Sequence, residues 1–170
     1  MSRTGELRPA PAWARETGHT KVGPPVPAAS AGEAIDRVLI ADRIARYGWT
    51  YDERDRAGLG ECFSGDGIWE GQIMGTTPVG PFEGREAIVE FLTGFWDEQD
   101  DQRRHVFTNV IVDSLDGDRA GAHAYLILLG SSEAAMRTET AGPYRFELVR
   151  EDTDQIWRLS RLCAGFDAPY

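Results

Sequence analysis

The apolar positions along this chain change their period part-way through. From "SAGE" onward, where Ser30 and Glu33 have capping-box spacing, apolar residues return every three to four positions. This predicts a helix over about 32–52. "DRAGLGECF" (55–63) reads as a short second helix weakened by Gly58 and Gly60, "DGIWEGQIM" (66–74) as a strand, and "GTTPVGPFEG" as a loop. In "GREAIVEFLTGFWDEQ", Ala87, Ile88, Phe91, Leu92 and Phe95 keep helical spacing and predict a third helix over 84–98. Beyond it the pattern becomes that of strands. "RHVFTNVIVDSL" and "DRAGAHAYLILLG" meet at a hairpin signal, Asp116-Gly117, and "GPYRFELVRE" and "IWRLSRLCAGF" are joined by the polar turn "DTDQ". Helices first and a strand meander after them predict an α+β fold, an antiparallel sheet covered on one face by helices, and not an alternating βαβ fold.

Residues 1–31 stand apart. Pro9, Pro11, Pro24, Pro25 and Pro27 interrupt any periodicity, so this stretch is expected to be an extended arm, with one domain over 32–170. Trp13 is out of place in a solvated arm and suggests that the segment docks on its own subunit or on a neighbour.

The long helix rewards inspection position by position. At about 100° per residue, with Ile35 as origin, Asp36, Asp42, Arg43, Arg46, Glu53 and Arg54 share one solvated arc. Ile40, Ile44, Tyr47 and Tyr51 occupy a second arc, and Val38, Ala41, Ala45 and Trp49 a third, and both are expected to be buried. Asp52 falls at about 260°, between Ala41 and Ala45 and away from the other acids. A carboxylate taken out of water must be paired, hydrogen-bonded or protonated, which makes Asp52 a candidate for chemistry. The alternative is that it caps the next helix.

Composition narrows the partners. With 28 acidic and 18 basic residues the net charge is -10, which argues against nucleic acid and anionic membrane surfaces. The only lysine, Lys21, lies in the arm, so no Schiff-base lysine is available in the domain. Cys62 and Cys163 form no CxxC pair, and two isolated thiols suit a reducing cytoplasm. No run approaches a membrane span and no apolar leader opens the chain, so a cytoplasmic location is expected. HExxH, HxH and clustered Cys/His are absent, as are GxSxG, GxGxxG and Walker signatures. Neither a metal nor a cofactor is therefore expected. Of the three histidines, His19 is in the arm, His123 sits mid-strand, and His105 shares a strand face with Phe107, Asn109 and Ile111 by period-two alternation.

The helix ending in "YDERDRAGLGECFSGDGIWEG", followed by "GREAIVEFL", "RHVFTNVIV", a strand with spaced alanines and a closing "W…R" strand, resembles the SnoaL-like branch of the NTF2-like superfamily. That branch includes scytalone dehydratase, bile-acid 7α-dehydratase and small polyketide cyclases. The resemblance covers about residues 33–166. It implies a cone-like α+β barrel with a curved antiparallel sheet around an apolar pocket, and a homodimer or homotrimer formed through the sheet's outer face. The tyrosine and aspartate closing the first helix of scytalone dehydratase look like Tyr51 and Asp52, and the tyrosine five residues before the aspartate in the bile-acid enzyme is matched by Tyr47. The family's catalytic histidine is similar to His105 and its last-strand arginine to Arg161. The chain departs from the pattern at Phe146, where many relatives carry aspartate, and in the apolar "LILLG".

The implied activity is that of a cofactor-independent lyase, isomerase or cyclase acting on a small apolar carbonyl compound. In it His105 would be the base oriented by Asp52, and Tyr47 or Tyr51 would hydrogen-bond the carbonyl oxygen. Trp49, Trp69, Phe107, Asn109, His123, Tyr125 and Arg161 would surround the substrate. The alternative is a non-catalytic binding or assembly module, such as the small subunit of a ring-hydroxylating dioxygenase.

Overall fold

A computed structural model describes residues 9–133 and 135–169. The elements run α1 (Trp13–Glu16), α2 (Ala31–Asp52), α3 (Arg56–Glu61), β1 (Phe63–Ile73), β2 (Thr77–Glu83), α4 (Arg85–Thr93), β3 (Gln102–Asp116), β4 (Arg119–Ser132), β5 (Ala135–Arg150) and β6 (Trp157–Phe166). The strands form one curved, open sheet in the order β2-β1-β6-β5-β4-β3. The fold is α+β, with the helices on the concave face. The sheet is mixed and not wholly antiparallel, because β1 runs parallel to β6.

Start signals act as their chemistry requires. Ser30 accepts the Glu33 N–H at the start of α2 while Glu33 accepts from Ala29 N, and Asp55 accepts the Gly58 N–H to cap α3. Asp55, and not Asp52, is therefore the cap of the short helix. The expected loop 75–84 contains a strand, β2, which pairs antiparallel with β1 despite two prolines. It lies at the edge of the sheet, where a missing N–H costs least. The third helix ends at Thr93 and the chain turns on itself before β3, so Phe95 is exposed and not on a helical stripe.

Sheet alternation divides the side chains. Ala122, Ala124, Leu126 and Leu128 of β4, Tyr144, Phe146 and Leu148 of β5, and Leu159, Leu162 and Ala164 of β6 build the core with Ile40, Ile44 and Tyr47 of α2. Only one of the two expected apolar arcs of α2 is buried. Val38 and Trp49 on the other arc are 68% and 66% exposed, because the helix meets the sheet along a single stripe. On the outer face Val106 pairs with Ile127, Thr108 with Tyr125 and Ile111 with His123, leaving an exposed strip of Val106, Ile111, Tyr125 and Ile127. Among the described residues no helix is long and apolar enough to cross a membrane.

The arm docks on its own subunit. Trp13 is buried and donates its indole N–H to Asp167 at 2.6 Å, with its ring 5.4 Å from that of His19. Gly75, at φ +69, and Gly165 form the floor, since a Cβ at either would run into the Trp13 ring. Further along, Gly23 N–H donates to Asp113 at 2.6 Å. Burial holds His19 below its ordinary pKa of 6.5, and His123, beneath the arm, is lowered for the same reason.

The released arm therefore binds protons more readily than the docked arm. Docking is at full strength above about pH 6.5 and weakens as the pH falls toward the depressed values. On going from pH 7 to 5, exchange of the Thr20 amide, which is bonded to Ala14 O, should slow less than the intrinsic, base-catalysed rate does, and His19→Phe should reduce the difference.

Candidate active site

The C-terminal turn of α2 crosses the first residues of β3, and one carboxylate ties them together. Asp52 Oδ2 accepts the backbone N–H of His105 at 2.7 Å and Oδ1 lies 2.6 Å from His105 Nδ1. The two side chains are 6% and 8% exposed. The burial of Asp52 comes from the strand that covers it rather than from an apolar helix face. A carboxylate offers only acceptors, so it holds the imidazole proton on Nδ1 and leaves the Nε2 lone pair as the basic site.

The tyrosines flank this histidine. The Tyr51 ring is 4.9 Å from the His105 ring and the Tyr47 ring 6.3 Å. Gln99 Nε2 donates to the Tyr51 hydroxyl at 3.1 Å. Burial raises the Tyr51 pKa above its usual 10, so the phenol remains a proton donor at neutral pH. Both tyrosines, His105 and Arg103 line an interior cavity of about 30 Å³ together with Trp69, Phe91, Leu128 and Tyr144. It has room for about two water molecules. A cleft of about 330 Å³ between the end of α2 and the turns after α4 shares Tyr51, Gln99 and Arg103 with it. The cleft is polar and the interior aromatic, so these three side chains form the wall between a wet entrance and a drier chamber.

Of the residues expected to surround a substrate, Trp69 lines this cavity, and Phe107 packs beside it against Tyr47, His105 and Tyr144. The other five lie elsewhere. Trp49, on the exposed side of α2, instead lines a separate cleft of about 340 Å³ with Asp52, His105 and Phe107. Asn109 has φ 53 in a bulge, where the alternation of β3 slips, so neither it nor Ile111 continues the His105–Phe107 face. Tyr125 and His123 point outward, the latter 3.2 Å from Asp113. Arg161 forms a two-pronged outer-face pair with Glu70, both bonds at 3.0 Å. Phe146 is fully buried in the core. Gln99 and Arg103 were not foreseen. Strand alternation back from His105 would have indicated Arg103, whereas nothing in the sequence marks Gln99.

Neither cysteine is activated. Burial raises Cys62, and burial together with the adjacent Glu70 carboxylate pushes Cys163 up to about 12. Among the described residues no group of three or more His, Cys, Asp or Glu could hold a metal ion.

The comparisons agree with this architecture. The model of the SnoaL-like domain family matches residues 32–162, and the chain belongs to that family. Solved structures with the same fold include a proposed aromatic ring hydroxylase from Novosphingobium aromaticivorans, 28% identical with a TM-score of 0.65, covering 80% of this chain and 92% of the other. A protein from Catenulispora acidiphila in complex with S-DNPA is 26% identical with a TM-score of 0.67, covering 79% and 95%. The proposed beta subunit of an aromatic-ring-hydroxylating dioxygenase from Novosphingobium aromaticivorans is 15% identical with a TM-score of 0.68 over 81% and 92%, a likeness of fold alone. A search of curated proteins returns no significant match.

Replacing Asp52 by Asn isolates the role of the carboxylate. The amide oxygen can accept the His105 N–H, but its NH₂ must then donate to Nδ1, which drives the ring proton to Nε2. Asp52→Asn should cost about 1–2 kcal/mol in urea denaturation. Nitrogen NMR of the imidazole should show the change of tautomer.

Proposed function

We propose that the chain is a cofactor-independent lyase, isomerase or cyclase that moves a proton next to a carbonyl group. The observation that carries this reading is the desolvated Asp52–His105 pair, held at 2.6 Å at the edge of an aromatic cavity. His105 Nε2 takes a proton from the carbon beside the carbonyl. The electron pair moves onto the carbonyl oxygen, where the Tyr51 hydroxyl stabilises the developing enolate. Asp52 stabilises the imidazolium that forms, as an oriented carboxylate does for a histidine base. The same proton is then returned to a leaving hydroxyl in a dehydration or to another carbon in an isomerisation; in a cyclisation the enolate carbon attacks a second carbonyl. Tyr51 is better placed than Tyr47 for the oxyanion, being nearer to His105 and held by Gln99.

Incubating the protein in D₂O with a panel of aryl and alicyclic ketones tests this directly. Wild type should catalyse exchange of the hydrogens next to the carbonyl, with loss of about 10²–10⁴-fold in His105→Ala and Asp52→Asn and a smaller loss in Tyr51→Phe. Exchange at the wild-type rate in either dyad variant would end the proposal.

A second reading is favoured by the exposed strip on the outer face and by the fold-level likeness to a dioxygenase beta subunit. In it the sheet packs on another chain. For a homodimer or homotrimer, Ile127→Glu should yield a monomer in light scattering with its secondary structure intact. A non-catalytic assembly subunit would instead co-purify with a larger partner and show no exchange activity.

A further inference from the structure

Two N–H donors of the aromatic chamber, Arg103 NH1 and Trp69 Nε1, and that of Trp96 in the adjoining cleft are buried without a hydrogen-bond partner among the described residues; Glu139 Oε2 stands 3.8 Å from Arg103 NH1, beyond hydrogen-bond reach. A buried donor left unpaired is costly, and three along the chamber and its entrance point to an occupant that brings acceptors. Arg103 carries most information. It stands two residues before His105 on β3, so strand rise places the two positions about 6–7 Å apart on one face. Its Nε donates to Asp101 at 2.7 Å, and Arg137 pairs with both Asp101 and Glu139. Asp101 is 1% exposed at its side chain, and Arg103 14%. Gly130, opposite Arg103 in β4, makes room for this group, because a Cβ there would meet both carboxylates at 2.3 Å.

The cluster has two guanidinium groups and two carboxylates, so its charge is balanced before any ligand arrives. Around it stand Asp52, Glu53 and Asp100 against Arg54 and the Arg104 that pairs with Glu53, which leaves a small excess of negative charge. A carboxylate entering here would meet net repulsion. A neutral oxygen would meet a fixed, charge-assisted donor at no cost in unbalanced charge.

We infer that Arg103 is the specificity-determining residue of the cavity and selects a neutral substrate with a second oxygen, a hydroxyl or carbonyl, about 6–7 Å from the carbonyl at Tyr51 and His105. This rests on the proton-transfer reading for the position of the first oxygen. The NH1 of Arg103 hydrogen-bonds the second oxygen, and Asp101 holds the guanidinium fork in register for it. Admission of a bicyclic ligand displaces the Gln99 side chain that walls the chamber from the cleft.

Ligand-observed NMR titration of 1-tetralone, 6-hydroxy-1-tetralone and 6-carboxy-1-tetralone at pH 7 tests the inference. Wild type should bind the hydroxyketone at least tenfold more tightly than tetralone, and the carboxylate no more tightly than tetralone. Arg103→Lys keeps the charge against Asp101 and removes the fork. The double variant Arg103→Met/Asp101→Asn removes both charges together and avoids stranding a buried carboxylate. Each should bring the ratio of hydroxyketone to tetralone affinity from tenfold or more down to about one. Preference for the carboxylate, survival of the hydroxyl preference in both variants, or no measurable binding of the hydroxyketone to wild type would overturn it. His105→Ala separates this from the catalytic reading: the binding preference should persist there while deuterium exchange is lost.

Discussion

The structure depends on one carboxylate that serves two donors of the same residue. Asp52 accepts the backbone N–H and faces the ring nitrogen of His105, so the end of α2 and the start of β3 are joined by a pair of short, desolvated contacts. The backbone contact fixes where β3 begins relative to the helix, and the side-chain contact fixes the ring's orientation and proton. Packing and chemistry share one anchor. A buried ion of this kind is tolerated only when its lone pairs are satisfied, and both oxygens of Asp52 are. The aromatic residues that fill the concave face, Tyr47, Tyr51 and Phe107, all stand within 6.3 Å of the His105 ring, centroid to centroid. Their arrangement follows from the position that the carboxylate gives that ring.

The same pair of residue types occurs a second time with a different outcome. His123 and Asp113 lie on the outer face, where Asp113 also accepts the N–H of Gly23 from the arm. There the carboxylate fastens a strap, and no aromatic chamber adjoins the imidazole. What distinguishes the two pairs is the side of the sheet on which each lies. In β4 His123 alternates with Ala122 and Ala124, whose methyl groups face the core. Arg161 and Glu70 follow the same logic, since the alternation that sends Leu162 inward sends its neighbour outward.

Much of this was legible in the sequence because the signals were local. Capping by Ser30, the helical period of 32–52, the Asp116-Gly117 hairpin and the isolation of Asp52 from other acids each depend on a few neighbouring residues. What escaped depends on contacts between distant segments. Val38 and Trp49 look as buried on a helical wheel as Ile40 does, and only the single line of contact with the sheet separates them. The face shared by His105 and Phe107 ends at Asn109 because a bulge inserts there, and no period-two rule foresees a bulge. The pairing of β1 with β6 joins strands about ninety residues apart, Ile68 with Arg161 for example, and so left no local trace.

The two ends of the cavity differ in electrostatic character, and the proposed chemistry draws on that difference. At the Asp52 end a carboxylate faces an imidazole at 2.6 Å, so an imidazolium formed there would stand in direct contact with an opposite charge. At the Arg103 end the charges are balanced already, and a donor remains over. In the proposed reaction a neutral molecule passes through an enolate, the imidazolium formed at the first end faces Asp52, and nothing is disturbed at the second. A substrate that arrived as an anion would lose at both. The low dielectric of an aromatic chamber enlarges these differences relative to water. The proposed proton transfer within a neutral carbonyl compound would thus require little reorganisation of this arrangement of charges.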